Sequence, residues 1–334
     1  MNARFLIVVG MLAAGIVGGT LAASANAQTA TSSSWRAPRT PWGDPDLEGM
    51  WTNATATPLE RPKELEGKRV LTDEELVERD RKVAQENSTD NAPRAGDPGS
   101  HNEFWRERGK LGKRTSLLVD PPDGKLPPLT QEEQKAQRQL AEARKTSPAD
   151  GPESRNLFER CITRGLPGAM MGDFYNHNYH ILQTPGYVVI SVEMIHDARI
   201  IPLDGRPHMG RQIRQWLGDS RGRWEGNTLI VETTNFNNIS DRTINGMLGA
   251  IVFGTSPTGR VIERFTRLDA DTIDYQVTVD DPATFTQPWT AAIPMTKLQG
   301  TLFEFACHEG NYGMVGILAG ARVEEKAAEA AKRK

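Results

Sequence analysis

The chain has 334 residues, of which 25% are charged, and its formal net charge at pH 7 is -3. Neither sign of charge dominates and no basic run alternates with aromatic residues, so the composition excludes a typical nucleic-acid-binding protein. The length allows one large domain or two small ones, each with its own hydrophobic core.

The first 27 residues have the pattern of a secretory signal peptide. Arg4 precedes a nearly uncharged run from Phe5 to Ala23, and Ala25-Asn26-Ala27 fits the small-x-small pattern at which such peptides are cleaved. A single membrane anchor is the alternative, because the run is about long enough to span a bilayer. We expect residues 1–27 to be removed, which predicts a mature chain without a transmembrane segment that is periplasmic or secreted.

Two cysteines, Cys161 and Cys307, lie near the two ends of the predicted core. In an oxidising compartment they can form one long-range disulfide, whereas two buried free thiols are the alternative. We predict the disulfide, because the chain is expected to be exported. No Cys/His pattern with the spacing of a zinc finger is present.

Residues 28–155 are predicted to form an extended wrapping segment that bears two short surface helices. Each helix begins with a Thr-x-x-Glu capping box, in which both side chains satisfy backbone N–H groups at the helix start. The boxes begin at Thr72 and Thr130, and the helices are expected to run to about Gln85 and Lys145. Both helices are highly charged with few apolar residues, which indicates that they lie on the surface.

Residues 156–326 have the pattern of a β-rich core domain, followed by a charged tail at 327–334. From Tyr179 onwards, short apolar runs are separated by turn signals such as Pro185-Gly186 and Gly226-Asn227. Eight to ten consecutive strands with no intervening helix favour antiparallel pairing. The sequence therefore predicts a mainly β fold, an antiparallel β-barrel or sandwich.

Three further predictions concern the second half of the chain. The stretch from Asn237 to Ser256 is rich in Gly and Asn, which predicts a long loop that could cover a site at the barrel mouth. Thr301 to Cys307 is expected to be the last strand, and residues 327–334 a short helix or frayed tail.

Four of the six histidines lie between His177 and His208, among strand-like segments. Core strands seldom carry so many titratable groups unless those groups are paired or used, so we expect the functional site here. Histidine suits proton transfer near neutral pH, and arginine can hold an anionic group. The predicted catalytic residues are His180, Glu193, His196, Asp219 and His308, and the predicted substrate-binding residues are Arg199, Arg221, Trp224 and Tyr312.

The alternative for the charged block around Asp219 and Arg221 is a salt-bridged hairpin at one end of the barrel. A metal is a separate question. Glu193-Met-Ile-His196 has the wrong order and context for a zinc protease, whose motif lies on a helix. A divalent metal held from several strands by histidines with Glu193 or Glu309 is compatible with the sequence, although no motif requires a cofactor.

Three blocks of this sequence resemble the signature of a large, mostly uncharacterised family of secreted bacterial proteins. They are GDSRGRWEGNTLIVETTNF at Gly218–Phe236, IHDARIIPLDGRPH at Ile195–His208 and CHEGNY at Cys307–Tyr312. The resemblance covers about residues 41–325 and implies export and the extent of the domain, but no activity. Strand order and a Gly-x-Trp are also similar to lipocalin-like (calycin-like) barrels, which is an analogy of fold only.

Three classes of function are compatible with these features. The first is a periplasmic or secreted enzyme that acts on a small molecule by acid/base hydrolysis, elimination or isomerisation. The second is a barrel that carries a small apolar ligand without catalysis. The third is an envelope-associated interaction protein, which would need a large exposed apolar patch. The cluster of titratable residues favours the enzyme, with a small-molecule substrate and no nucleic-acid partner.

Overall fold

A computed structural model describes residues 35–86, 107, 109–147, 149–172, 175–239, 243–246, 249–252 and 254–333. The predicted signal peptide lies outside the described residues. Residues 36–334 form one compact unit. None of the described helices has the length and apolar character needed to cross a membrane.

Twelve strands and three α-helices are described. In chain order they are β1 (Gly49–Thr52), α1 (Asp73–Glu86), β2 (Leu118–Asp120), α2 (Gln131–Thr146), β3 (Asn178–Thr184), β4 (Tyr187–Val192), β5 (Ala198–Pro202), β6 (Asp219–Glu225), β7 (Thr228–Thr234), β8 (Thr243–Gly246), β9 (Gly249–Val252), β10 (Arg260–Arg267), β11 (Thr272–Asp280), β12 (Trp289–Lys297) and α3 (Tyr312–Lys332).

A ten-stranded antiparallel sheet curls into a nearly closed barrel. Nine strands follow the order β5, β4, β3, β1, β12, β11, β10, β7, β6, and β2 pairs with β12 beside this path. The tight β6–β7 hairpin turns at Gly226, whose φ of +63° suits glycine far better than an L residue with a side chain. The prediction of a mainly β, antiparallel barrel-like fold is confirmed.

The barrel closes where the two end strands, β5 and β6, meet through side chains. A Cβ atom on Gly222 would lie 2.6 Å from Leu203 Cδ2 and 2.8 Å from Ile201 Cγ2, so only glycine lets β6 come this close to β5. Since each strand is antiparallel to the next along the path of nine, β5 and β6 run in the same direction.

The barrel interior is filled by side chains. Along β11, Ile273, Tyr275, Val277 and Val279 are buried and alternate with partly exposed residues, as expected of a strand with one face in the core. The largest interior side chains have no exposed surface, and they are Trp51, Trp289, Tyr179, Tyr275 and Phe265. Side chains with zero exposure adjoin no space that a water molecule could occupy.

The predicted wrapping segment also contributes to the sheet. β1 lies between β3 and β12, with Trp51 opposite Tyr179 on one side and Lys297 on the other. Both predicted surface helices are confirmed as α1 and α2. At the start of α1, Thr72 and Glu75 exchange the expected hydrogen bonds between side chains and backbone N–H groups.

Three predictions near the end of the chain are wrong. Thr301–Cys307 is not a strand, because Phe303 N–H and the Phe305 carbonyl bond to the side chains of Glu193 and His196 instead of to a neighbouring strand. The stretch from Asn237 to Ser256 contains the β8–β9 hairpin. The final helix spans Tyr312–Lys332 instead of residues 327–334, because the side chain of Asn311 caps its start.

Candidate active site

One end of the barrel collects several of the predicted site residues. β4 ends there before Glu193, and β5 begins there at Ala198. β6 runs parallel to β5, so Asp219 at its start also lies at this end. Chain topology therefore places residues from distant parts of the sequence at a common edge, as a site at one mouth of the barrel requires.

The connection between β4 and β5 is a strained turn, Glu193–Asp197, which we call the His196 turn. Met194–His196 form a tight turn in which both Ile195 and His196 have positive φ angles, +62° and +48°. Left-handed backbone is unfavourable for residues with a side chain, above all for a β-branched one such as Ile195. Strain of this kind persists only when the surroundings impose it, and it is concentrated at functional sites.

Glu193 holds the start of the His196 turn in place through the hydrogen bonds of its side chain. Its buried carboxylate accepts hydrogen bonds from the amide of Asn176 (3.1 Å), the amide of Asn178 (2.6 Å) and the backbone N–H of Phe303 (3.1 Å). His196 N–H donates to the Glu193 carbonyl oxygen at 3.1 Å. Glu193 thus ties together three segments that are distant in sequence, which supports a positioning role for this residue.

His196 presents a free base to solvent. Its Nδ1 atom lies 3.2 Å from the carbonyl oxygen of Phe305. A carbonyl oxygen can only accept a hydrogen bond, so Nδ1 carries the proton in the neutral ring. Nε2 then holds the lone pair, and the side chain is exposed. This is how a histidine is oriented when it serves as a general base.

Asp197 stands next to this base and holds its proton more strongly than an ordinary aspartate. Burial raises the pKa of Asp197 from 3.8 to about 6, and the neighbouring His196 opposes this effect. A carboxyl group with a pKa near 6 is partly protonated at mildly acidic pH. Two neighbouring residues of the turn can thus exchange protons in the range from mildly acidic to neutral pH.

The disulfide lies next to the segment that orients His196. Cys161 and Cys307 are bonded, with their Cα atoms 5.6 Å apart, which confirms the predicted pairing. Phe305 precedes Cys307 by two residues, so the bridge restrains the carbonyl that His196 contacts. His308 follows the bridge and is exposed, with no described contact to His196.

Three other predicted residues lie apart from the His196 turn. His180 is on the outer face of β3, opposite Ser191 of β4. Trp224 is half-buried near the far end of β6. Tyr312 starts α3 and is 81% exposed. No described contact joins any of the three to His196.

Asp219 and Arg221 form the salt-bridged hairpin that was the alternative interpretation. Arg221 Nη1 donates to Asp219 Oδ1 at 2.5 Å, and the backbone N–H of Met209 donates to Asp219 Oδ2 at 2.8 Å. His208, which the sequence analysis left out of the site, lies with Nδ1 3.1 Å from Asp219 Oδ2 and Nε2 3.4 Å from Glu232 Oε1. His208, Asp219 and Arg221 are thus paired with one another, and Glu232 also contacts Arg260.

Arg199, which the sequence placed among the substrate-binding residues, is buried instead of exposed at the site. Its guanidinium lies inside the barrel and donates two hydrogen bonds to the carboxylate of Glu263, one of them 2.8 Å long. The two side chains are 1% and 0% exposed. Tyr275 also donates to Glu263 at 2.9 Å, and burial holds the pKa of the Tyr275 hydroxyl well above its usual range. This pair has no access to solvent.

Two further observations limit what the site can hold. Among the described residues, no three His, Cys, Asp or Glu side chains converge on a point where a metal ion could sit. An open cleft of about 430 Å³ runs along α1 and is lined by residues such as Leu65 and Leu71, and none of its lining residues belongs to the His196 turn.

Comparison of the chain with protein-family models, with curated proteins and with solved structures found no match. The resemblance to a family of secreted bacterial proteins stays a prediction.

Proposed function

We propose that this protein is an acid/base enzyme that acts on a small polar molecule at the His196 turn. The observation that carries the proposal is the orientation of His196, whose Nδ1 contacts the Phe305 carbonyl and whose Nε2 is left free. In this proposal Nε2 removes a proton from the substrate or from an attacking water. Asp197 in its protonated form donates a proton to the group that leaves or to the carbon that is rearranged.

The proton balance suits the reaction classes expected from the sequence. In an elimination or isomerisation, the base takes one proton and the acid returns one, so the pair ends with its roles exchanged. In a hydrolysis, the same pair would activate water and protonate the leaving group. The strained backbone of the turn fixes the direction of the imidazole, which keeps the base in position before substrate arrives.

The contents of the barrel favour the enzyme over a carrier of an apolar ligand. Fully buried aromatic side chains occupy the interior, and the Arg199–Glu263 ion pair lies among them. An apolar cargo would have to displace these side chains and lie against a buried charge pair, which is costly. We further propose that the protein works outside the cytoplasm, where the Cys161–Cys307 disulfide is stable.

The proposal is tested without a known substrate by the protonation of the histidine rings. Long-range ¹H–¹⁵N correlation spectra distinguish the two neutral tautomers of histidine. We expect neutral His196 to carry its proton on Nδ1, whereas the exposed His308 should show the ordinary mixture of tautomers. A neutral His196 protonated on Nε2 would remove the free base and overturn the proposal.

Activity gives the second test. Wild-type protein should turn over at least one member of a panel of esters, lactones, uronides and epimerisable sugars. His196→Gln should lower kcat/KM by about 10²–10⁴-fold, the usual contribution of a general base. Lys135→Gln is the control, since it changes an exposed residue of α2 that belongs to no predicted site, and it should leave the rate unchanged. Equal effects of the two substitutions would contradict the proposal.

A further inference from the structure

The loop between β5 and β6 carries an exposed amphipathic surface. Every residue from Gly210 to Trp216 is exposed. Two of the seven are large and apolar, with Ile213 48% and Trp216 37% exposed. Single exposed apolar residues are ordinary, but two within four positions on one loop are less so. We call residues 210–216 the cationic loop, because they also include Arg211 and Arg214.

The arginines of this loop differ from the other arginines nearby. The remaining described arginines between residues 199 and 267 each contact a carboxylate, and they are Arg199, Arg206, Arg221, Arg223, Arg260, Arg264 and Arg267. Arg211 and Arg214 have no carboxylate partner in the part of the chain that the structure describes. Among the described residues, the only hydrogen bond made by the side chains of these two arginines joins Arg214 Nε to the Arg211 carbonyl at 3.2 Å. Their charges are therefore available to a ligand.

The cationic loop is held in place and does not fray. The side-chain amide of Asn235 donates to the carbonyl oxygens of Met209 (2.8 Å) and Gly210 (3.3 Å). On the other side, Gln215 N–H donates to the Asn235 carbonyl at 3.1 Å, and Asn237 N–H donates to the Gln215 carbonyl at 2.8 Å. The fold thus presents the exposed residues in a defined conformation, which lowers the entropy lost when they bind.

We propose that the cationic loop docks the protein onto an anionic lipid surface. Two unpaired arginines are attracted by acidic headgroups. Tryptophan is favoured at the membrane interface, and an aliphatic side chain such as Ile213 gains from insertion at the boundary of the acyl chains. A soluble polyanion would use the arginines but would leave Ile213 in water, so a lipid surface accounts for both features. The proposal uses no residue of the His196 turn and is independent of the proposed function.

The experiment is sedimentation of the full chain with lipid vesicles. We compare equimolar phosphatidylglycerol and phosphatidylcholine with pure phosphatidylcholine, at about 20 mM and about 500 mM salt. Binding is expected only to the anionic vesicles, and it should weaken at high salt. Equal partitioning onto the neutral vesicles, or none onto the anionic ones at low salt, would overturn the proposal.

Substitutions test whether the cationic loop is the surface that binds the vesicles. Each arginine near an anionic membrane contributes about a five-fold factor in partitioning, so Arg211→Gln with Arg214→Gln should reduce binding about 25-fold. Ile213→Ser should reduce it several-fold. The matched control is Lys135→Gln with Arg138→Gln, which removes the same charge from the exposed face of α2 and should change binding little. An equal loss in the control would show that net charge, and not the loop, is responsible.

A separate binding measurement distinguishes a lipid surface from a soluble polyanion as the partner of the cationic loop. Heparin serves as a soluble polyanion without a lipid phase. Binding of heparin that depends on both arginines but not on Ile213, combined with no binding to vesicles, would assign the loop to polyanion recognition and overturn the membrane proposal. Vesicle binding that depends on Ile213 supports the membrane.

Discussion

The barrel interior and the His196 turn both contain charged or titratable side chains, but they use them in opposite ways. Inside the barrel, Arg199 and Glu263 form an ion pair that is almost wholly excluded from water. At the turn, His196 is exposed and one of its ring nitrogens has no described partner. A buried ion pair whose charges neutralise one another belongs to the architecture, whereas an exposed and positioned base is available for chemistry.

The largest expected effect tests the architectural half of this comparison. Glu263→Gln keeps the shape of the side chain but leaves the Arg199 charge uncompensated inside the barrel, so it should lower the free energy of unfolding by about 3–5 kcal/mol. Urea denaturation measures the loss. The control is Glu225→Gln, because Glu225 pairs with Arg223 and Arg264 at the exposed end of a hairpin, and it should cost less than about 1 kcal/mol. Similar losses would contradict the distinction.

Removal of the disulfide should affect both the stability of the barrel and the orientation of His196. Replacing Cys161 and Cys307 with serine removes a cross-link between residues 146 positions apart and should lower the free energy of unfolding by about 2–4 kcal/mol. The Phe305 carbonyl should also lose its restraint, so the preference of His196 for the Nδ1–H tautomer should weaken. His208, which contacts Asp219 outside this segment, should keep its tautomer. An unchanged His196 signal would show that the bridge does not position the turn.

A third effect concerns pH. The pKa of Asp197 is raised to about 6 in the folded state, so folding takes up a proton between the ordinary value of 3.8 and about 6. The stability that this proton provides is complete below pH 4 and is lost as the pH rises through 6. Asp197→Asn should therefore be more stable than wild type at pH 7.5, by on the order of 1 kcal/mol after allowance for solvent screening.

Comparing wild type with Asp197→Asn isolates the contribution of Asp197 to the pH dependence of stability. His177 acts in the opposite direction, since burial and the nearby Arg164 hold its pKa well below the usual range, and stability is lost as the unfolded chain gains a proton below about pH 6.5. This contribution is common to wild type and Asp197→Asn and cancels in their difference. A difference in unfolding free energy that does not change between pH 4 and pH 7.5 would exclude the raised pKa.

The smallest effect separates function from stability at the turn. His196 has a φ of +48°, where glycine is unstrained, and its side chain is exposed. His196→Gly should leave stability unchanged or raise it by up to about 1 kcal/mol, although it removes the hydrogen bond to Phe305. Activity should be abolished. A destabilisation above about 1 kcal/mol would mean that the histidine is retained for packing.

Features that depend on neighbouring residues were predictable from the sequence. The alternation along β11, the Gly226 turn and the Thr72 capping box each arise from contacts within a few residues. Features that depend on distant pairing were not. Nothing local in Gly49–Thr52 indicates a strand between β3 and β12. Three glycines in α3, at 313, 316 and 320, weaken the helical pattern that Asn311 begins.

The same limit explains the outcome at the candidate site. The sequence indicated His196 and Glu193 because charged residues are unusual beside apolar strands. It missed Asp197, whose pKa depends on burial, and Phe305, which meets His196 across 109 positions. It placed Arg199 in the substrate site because arginine can hold an anionic group, whereas its partner Glu263 lies 64 positions away on β10. Such partners are distant in sequence and come together only when the sheet has folded.

The position of β1 has a consequence for how the chain assembles during synthesis. β1 is the first strand to leave the ribosome, yet it pairs with β3 and with β12, the last strand of the sheet. Pairings between such distant parts of a chain give a high contact order and slow folding. A nascent chain that ends before Trp289 lacks the strand that pairs with β1, β2 and β11. The barrel is therefore completed only after β12 has been made, and chains truncated before it would expose unpaired strand edges that favour aggregation.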